Sequence, residues 1–266
     1  MGLYINSLNN LNRTQSTINQ SVQKIASGSQ YPSAAYGAAA YSILAKMYSN
    51  IDTAAQSSSN TQTSSAMLST AMGGVSSTVE SLSSLKDKLL SAANGTNNAS
   101  DIQAIQGELN QTVSQINENA SVQFNGQTLL DGSKSFAVAG DNGYKNVQLG
   151  NMTAQGLGLV DQNGKSTLNL SSSEGIASAI DTVSSALDTA LNEAASIGST
   201  QQGLSYSAAN YATQQESLTS AASVSGDTDI AAEVSKLKSA QTLNALSLYA
   251  TKLNMHNNGA VLSLLQ

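Results

Sequence analysis

Apolar residues recur along most of this chain at alternating spacings of three and four, the period that gathers them on one face of an α-helix. Near the start, Tyr4, Leu8, Leu11, Gln15, Ile18, Val22 and Ile25 follow it. Ser27-Gly28, with Pro32 just beyond, predicts the end of that helix. A second helix is predicted from about Ala38 to Ala93, with its seam on Leu68, Met72, Val75, Val79, Leu82 and Leu89, interrupted at Lys86. Gly73-Gly74 weakens its middle, and Asn94-Gly95 offers a left-handed exit. A third opens on a capping box, Ser100-x-x-Gln103, and carries Ile102, Ile105, Leu109, Val113, Ile116 and Ala120.

The period changes between Phe124 and Leu170. Glycines multiply there, and Phe136-Ala137-Val138, Val147-Gln148-Leu149 and Leu168-Asn169-Leu170 read as short strands. Asp141-Asn142-Gly143 and Asn163-Gly164 are the turn signals between them, so hairpins are expected. The longest repeat follows a second capping box, Ser171-x-x-Glu174. It runs Ile176, Ile180, Val183, Leu187, Ala190, Ala194, Ile197, Gln201, Leu204, Ala208, Tyr211, Gln215, Leu218 and Ala222 without a slip of register. At about 1.5 Å per residue this rod spans roughly 70 Å and needs a coiled-coil partner to cover its stripe.

A last helix starts near Asp227 and Asp229, read as acids at a helix N-terminus. It carries Ile230, Val234, Leu237, Leu243, Leu246, Ala250 and Leu253, and the chain closes on Val261, Leu262, Leu264 and Leu265. Each large apolar side chain left in water would forgo about 1.5–3 kcal/mol, so this end is expected to insert between subunits. Both terminal helices are marginal alone, since helical stability comes mostly from packing an apolar face. They are expected to order on assembly. The elements together predict a mainly α fold: long antiparallel coiled-coil helical rods from both chain ends with a small central β-hairpin region.

Composition narrows the function. One Pro in 266 residues permits long uninterrupted helices. With no Cys there is no disulfide framework, thiolate metal site or Cys nucleophile. A net charge of −6 argues against nucleic acid, whose phosphates need clustered Lys and Arg. No apolar run nears the ~18 residues of a membrane span. Met1 to Arg13 lacks a basic region followed by an apolar block, so no secretory signal is read there. His256 is the only histidine, without an acid pair or Ser elbow, and it cannot supply a His-Glu-x-x-His motif. No catalytic constellation, metal site or cofactor is expected.

Several stretches then carry a resemblance. Ser27-Gly28, Ser33-Ala34-Ala35 and Lys46-Met47 form one block, and Ala92-Ala93-Asn94-Gly95-Thr96 with Ile105-Gln106-x-Glu108 a second. Phe124-Asn125-Gly126-Gln127-Thr128-Leu129-Leu130-Asp131-Gly132 follows, then Gln148 to Ala154. Ile197-Gly198-x-x-Gln201, Glu216-x-Leu218-Thr219, Asp227-x-Asp229, Glu233-x-x-Lys236-Leu237 and Gln241-x-Leu243 come next, before the terminal Val261-Leu262-Ser263-Leu264-Leu265. In this order, over almost the whole chain, they resemble bacterial flagellin.

The resemblance implies a subunit of the flagellar filament, found outside the cell and exported by the flagellar type III apparatus. It implies an inner-tube domain made of an N-terminal helix (1–35) and a C-terminal helix (223–266). A rod domain (36–222) lies between them, β-rich at about 124–170. The assembly interface is then expected on Leu8, Leu11, Ile18, Val22, Ile25, Ile230, Val234, Leu237, Leu243, Leu246, Leu253, Val261, Leu262, Leu264 and Leu265. The rod seam is expected on Leu68, Met72, Val75, Val79, Leu82, Ile180, Val183, Leu187, Ile197, Leu204 and Leu218. Expected partners are further copies of the chain, an export chaperone, and the filament cap and hook-junction proteins.

Departures from the family pattern include Gln30, Ser84, Lys86, Gly203, Ala222 and Gly226 in place of arginines, and Tyr36-Gly37 in place of an acidic pair. Ser84 and Lys86 fall in the patch that vertebrate flagellin receptors read through arginine. Two alternatives stay open beside the filament subunit: a hook–filament junction protein and a surface adhesin built on the same core.

Overall fold

A computed structural model describes the backbone of residues 2–133, 135–140 and 143–264. Side chains are described over the same residues except 2–7, 139–140, 143–144, 258–259 and 261–264. Among the described residues, five helices, α1 (Gly2–Ser27), α2 (Ala38–Ala92), α3 (Ala99–Ala120), α4 (Ser173–Gly226) and α5 (Ile230–Leu264), carry most of the chain. A 3₁₀ turn (Ala34–Tyr36) precedes α2. Four strands, β1 (Gln123–Phe124), β2 (Gln127–Thr128), β3 (Ser135–Gly140) and β4 (Gly143–Gln148), sit between α3 and α4.

The chain divides into two compact units. One takes residues up to Thr53 and from Gln214 onward, the other Ala54–Thr213. In the first, α1 stops at Ser27 because Gly28 takes a left-handed backbone, φ +66°, where a side chain would be strained. The strand-like residues beyond it are knitted to the end of α4. The Gln30 amide donates to the Gly226 carbonyl at 2.7 Å, and the Thr228 amide to the Gly28 carbonyl at 2.9 Å. Asp229 then caps α5, its Oδ1 accepting from the Ala232 amide at 3.0 Å. From there α5 runs back along α1.

In the second unit the apolar seams of α2, α3 and α4 meet in one core. Leu68, Val75, Leu82 and Leu89 of α2 are buried with Leu109, Val113 and Ile116 of α3, and with Val183, Ile197 and Leu204 of α4. Met72, Val79, Ile180 and Leu187 pack against this core partly buried. Leu218, the last rod-seam position, lies in the other unit and is half-buried. Gln201 Nε2 reaches Ser69 Oγ at 3.1 Å, and Gly198 lies by Met72, so α4 runs antiparallel to α2. Lys88 pairs with Glu108 at 2.7 Å, and Asn119 reaches Ser81, so α3 is antiparallel to α2 as well. Where the spacing skips from Leu82 to Lys86, the structure buries Leu85 instead. Lys86 is only half-buried.

The structure moves several expected boundaries. The box that opens α3 is Asn98 with Asp101, whose side chains and amides bond reciprocally at 3.0 Å, rather than Ser100 with Gln103. At α4 the cap is Ser172, which accepts from the Gly175 amide at 3.0 Å, one residue later than expected. Gly175 has no side chain to complete a box. The exit of α2 is not left-handed. Asn97 Nδ2 closes it by donating to the Ser91 carbonyl at 2.6 Å. Leu168 and Leu170 belong to no strand, yet both are buried in the core.

The hairpin β3–β4 forms as expected, its last described pair being Gly140 with Gly143. The turn residues Asp141 and Asn142 lie outside the described residues. Asp161 organises the second expected turn, its Oδ1 accepting from the amides of Asn163 and Lys165. Those two bonds hold its carboxyl below the ordinary value. A further hairpin, β1–β2, turns on Asn125 and Gly126, both at positive φ. Along α2 and α4, Ser and Thr hydroxyls fold back onto carbonyls one turn earlier, as Thr61, Thr70, Thr78, Thr182 and Thr200 do at 2.8–3.1 Å.

The adjacent glycines of α2 differ in surroundings. A Cβ on Gly74 would stand 2.8 Å from the Asn119 carbonyl oxygen and from a Leu130 methyl, whereas Gly73 faces open space. Gly74→Ala should therefore lower unfolding stability by about 1–3 kcal/mol through overpacking. Gly73→Ala should raise it by roughly 0.5–1 kcal/mol through helix propensity. Chemical denaturation of the two variants beside the parent chain reads both signs.

Candidate assembly interface

The two terminal helices meet through a seam of mixed apolar and polar side chains, which on α5 is more polar than the exposed face. On α1 the buried and half-buried residues are Leu11, Thr14, Ile18, Ser21, Lys24 and Ile25. On α5 the buried and half-buried residues are Glu233, Val234, Leu237, Ala240, Asn244, Ser247, Thr251 and Asn254. Ser21 is 1% exposed and donates to Glu233 Oε1 at 2.8 Å, and Glu233 is itself 6% exposed. Lys236 Nζ holds the second carboxylate oxygen at 3.2 Å. Further along, Asn244 Nδ2 donates to Gln15 Oε1 at 3.2 Å. Residue numbers rise on one helix as they fall on the other, so the pair is antiparallel.

The expected interface residues separate into two sets. Leu11, Ile18, Ile25, Val234 and Leu237 are half-buried within the chain. Leu8, Val22, Ile230, Leu243, Leu246 and Leu253 remain exposed, from 38% at Leu8 to 62% at Leu246. Leu248, Tyr249 and Met255 are exposed as well and extend the uncovered apolar surface of α5. The side chains of Tyr4, Val261, Leu262 and Leu264, and the whole of Leu265, lie outside the described residues.

Heptad spacing puts Val22 on the α1 seam, but the structure puts Ser21 there and turns Val22 to solvent. Sequence reasoning missed Ser21, Ala240 and Asn244 because it followed apolar residues alone. The available signal was the parallel series of small and polar residues, Glu233, Ala240, Asn244, Ser247 and Thr251, at the same three-and-four spacing.

Elsewhere exposed large apolar side chains, such as Ile43, Leu90, Leu191, Tyr206 and Val224, stand among polar ones. Ser84 is exposed on α2 beside an open groove of about 690 Å³ that Ser77, Glu80, Lys88, Glu108 and Asn119 also line. A second groove, about 660 Å³, runs along α3 against residues 160–169 and is lined mainly by amide and hydroxyl side chains. Among the described residues, no three or more His, Cys, Asp or Glu side chains gather into a metal-binding group. Among them, too, no helix is long and apolar enough to cross a membrane.

The Glu233 carboxyl is held below its ordinary value of 4.5, first by the Ser21 hydroxyl and then by Lys236 and Lys24, against the opposing effect of burial. A depressed carboxylate stabilises the fold fully above its unfolded value and loses that contribution as pH falls through the folded one. Packing of α1 on α5 should therefore be pH-independent above about 4.5 and weaken on acidification below it. Thermal melts followed by far-ultraviolet circular dichroism across that range should show the loss. Glu233→Gln should flatten it.

Comparison with known proteins accounts for this pattern of helices. The sequence model of the bacterial flagellin N-terminal helical region matches residues 2–135, and that of the C-terminal helical region matches residues 180–265. A flagellar filament 30.7 kDa core protein of Treponema maltophilum is 29% identical over 248 residues, covering 87% of this chain and 86% of its own. Flagellin FljM of Caulobacter vibrioides is 26% identical over 261 residues, covering 97% and 94%. A solved structure described as a flagellar hook-associated protein from Vibrio parahaemolyticus superposes with a TM-score of 0.60 at 19% identity, covering 71% of this chain and 99% of that one. At that identity the likeness is one of fold alone. With matched regions at both ends of the sequence and the fold to go with them, the chain belongs to the bacterial flagellin family.

Proposed function

We propose that this chain is the structural subunit of a bacterial flagellar filament and polymerises by burying the outer faces of its terminal helices between copies. The observation that carries this reading is the uncovered apolar surface of α5, from Ile230 through Leu243 and Leu246 to Leu253. A single copy leaves that surface in water, at about 1.5–3 kcal/mol for each large side chain. Leu8 and Val22 of α1 add to it. Val261, Leu262, Leu264 and Leu265 are assigned to the same interface from the sequence.

In this reading residues 1–35 and 223–266 form the inner-tube part, and residues 36–222 the rod. The protein is structural rather than catalytic, lies outside the cell in the flagellum, and leaves through the flagellar type III apparatus. An export chaperone, a filament cap and a hook-junction protein are its further partners.

Electron microscopy of purified chain mixed with short seeds of its own filaments should show elongation into long tubes. Removing residues 231–266 should abolish it. Growth only as short stubs on other filaments would point to a junction protein instead. Leu246→Asp alters an exposed residue, so it should leave the helical content of the soluble chain intact. It should raise the concentration needed for elongation more than about tenfold, since 1.4 kcal/mol is a factor of ten.

Ser84 and Lys86 lack the forked guanidinium donors of the family arginines. A cell reporter of the vertebrate flagellin receptor should accordingly respond more weakly than to a flagellin that keeps them. Equal potency would count against that assignment.

A further inference from the structure

We propose that Met255 is an oxidation site through which hydroperoxides control assembly of this chain, its sulfoxide keeping α5 from being buried between copies. The exposure of Met255 is a property of the single chain, whereas the effect on assembly rests on the filament reading above.

Sulfur oxidation in this sequence falls to methionine alone. There is no Cys to take up the oxidant, and no Trp to compete for it. The described methionines differ widely in access. Met152 is 1% exposed and Met67 8%, both within the core of the second unit. Met47 and Met72 are half-buried. Met255 is 59% exposed. A peroxide must reach the sulfur to react, so Met255 is the first to be oxidised.

Its place on the helix gives that reaction a consequence. Ile230, Leu248 and Met255 recur at whole helical turns, so they share one face of α5. All three are exposed, and in the filament reading a second copy covers them. Oxygen transfer alters that face at one point. The sulfur lone pair attacks one oxygen of hydrogen peroxide, the O–O bond breaks as the S–O bond forms, and water leaves. The sulfur is oxidised and the peroxide reduced. A flexible apolar side chain becomes a polar, chiral one, whose oxygen loses its hydrogen bonds wherever a neighbour excludes water. A methionine sulfoxide reductase reverses the step with electrons from thiols, again releasing water.

The test treats the soluble full chain with dilute hydrogen peroxide, maps it by peptide mass spectrometry and then offers it seeds of its own filaments. Met255 should gain oxygen before Met47, Met67, Met72 and Met152, with the circular dichroism unchanged. The concentration needed for elongation should rise about tenfold, as when one large apolar side chain is no longer buried. Treatment with methionine sulfoxide reductase should restore it. M255L keeps an apolar side chain without sulfur, so peroxide should leave its elongation unchanged. If M255L grows poorly before treatment, M255I is read in its place. Met255 should be protected in filaments grown before the peroxide is added.

Peroxide that slows M255L as much as the parent chain would overturn the proposal. So would normal growth of chain oxidised at Met255, or equal oxidation of Met255 in soluble chain and filament. Untreated chain that elongates no seeds would overturn the filament reading, and this proposal with it.

Discussion

A long helix is held in water chiefly by something that covers its apolar face, and this chain meets that need in two ways. Between Ala54 and Thr213 the cover is internal. Leu68, Leu82, Leu109, Val183 and Ile197 bury one another, and the loop residues Leu149, Met152, Leu159 and Leu168 close the same core. In the unit made from the two chain ends, many apolar residues of α5 are exposed, while between α1 and α5 serine, glutamate and amide side chains stand beside the half-buried Leu11, Ile18, Ile25 and Leu237. One unit covers most of its large apolar side chains within a single copy, apart from Leu90, Leu191 and Tyr206. The other has surface to give to a polymer.

That difference goes with a terminal seam that is partly polar. If Leu243, Leu246 and Leu253 had been buried within the chain as well, little would remain to drive association. A hydrogen-bonded seam contributes modestly to stability, on the order of 1 kcal/mol per bond, and leaves the larger apolar term for contacts between copies. Ser21 and Glu233 thus spend very little of the surface that polymerisation needs.

Much of the fold was legible because helical rods repeat the same spacing many times. The stripe from Ile176 to Ala222 never slips in sequence, and the structure follows it from the buried Ile176 to the buried Ala222. Short-range signals were harder to place. Near Asn98 several asparagines and serines compete for the cap, and only geometry shows that Asp101 answers Asn98. The strands β1 and β2 have two residues each, too few for alternation to register, although Asn125-Gly126 is a strong turn signal. On the terminal helices, apolar periodicity picked out the half-buried Leu11, Ile18, Ile25 and Leu237 together with the exposed Leu8, Val22, Leu243 and Leu246, because spacing alone cannot tell a stripe that packs within the chain from one left exposed.

The hydroxyls along α2 and α4 have a wider consequence. Many donate to their own helix, as Thr70 and Thr200 do, so they ask little of solvent or of any neighbour. Few charges stand beside them, since charged residues are 11% of the chain. Mobile ions screen charges, over about 10 Å at 0.1 M, and have little to act on where surfaces are neutral and internally satisfied. A polymer whose copies met through such faces would hold much the same cohesion in dilute fresh water as in brine.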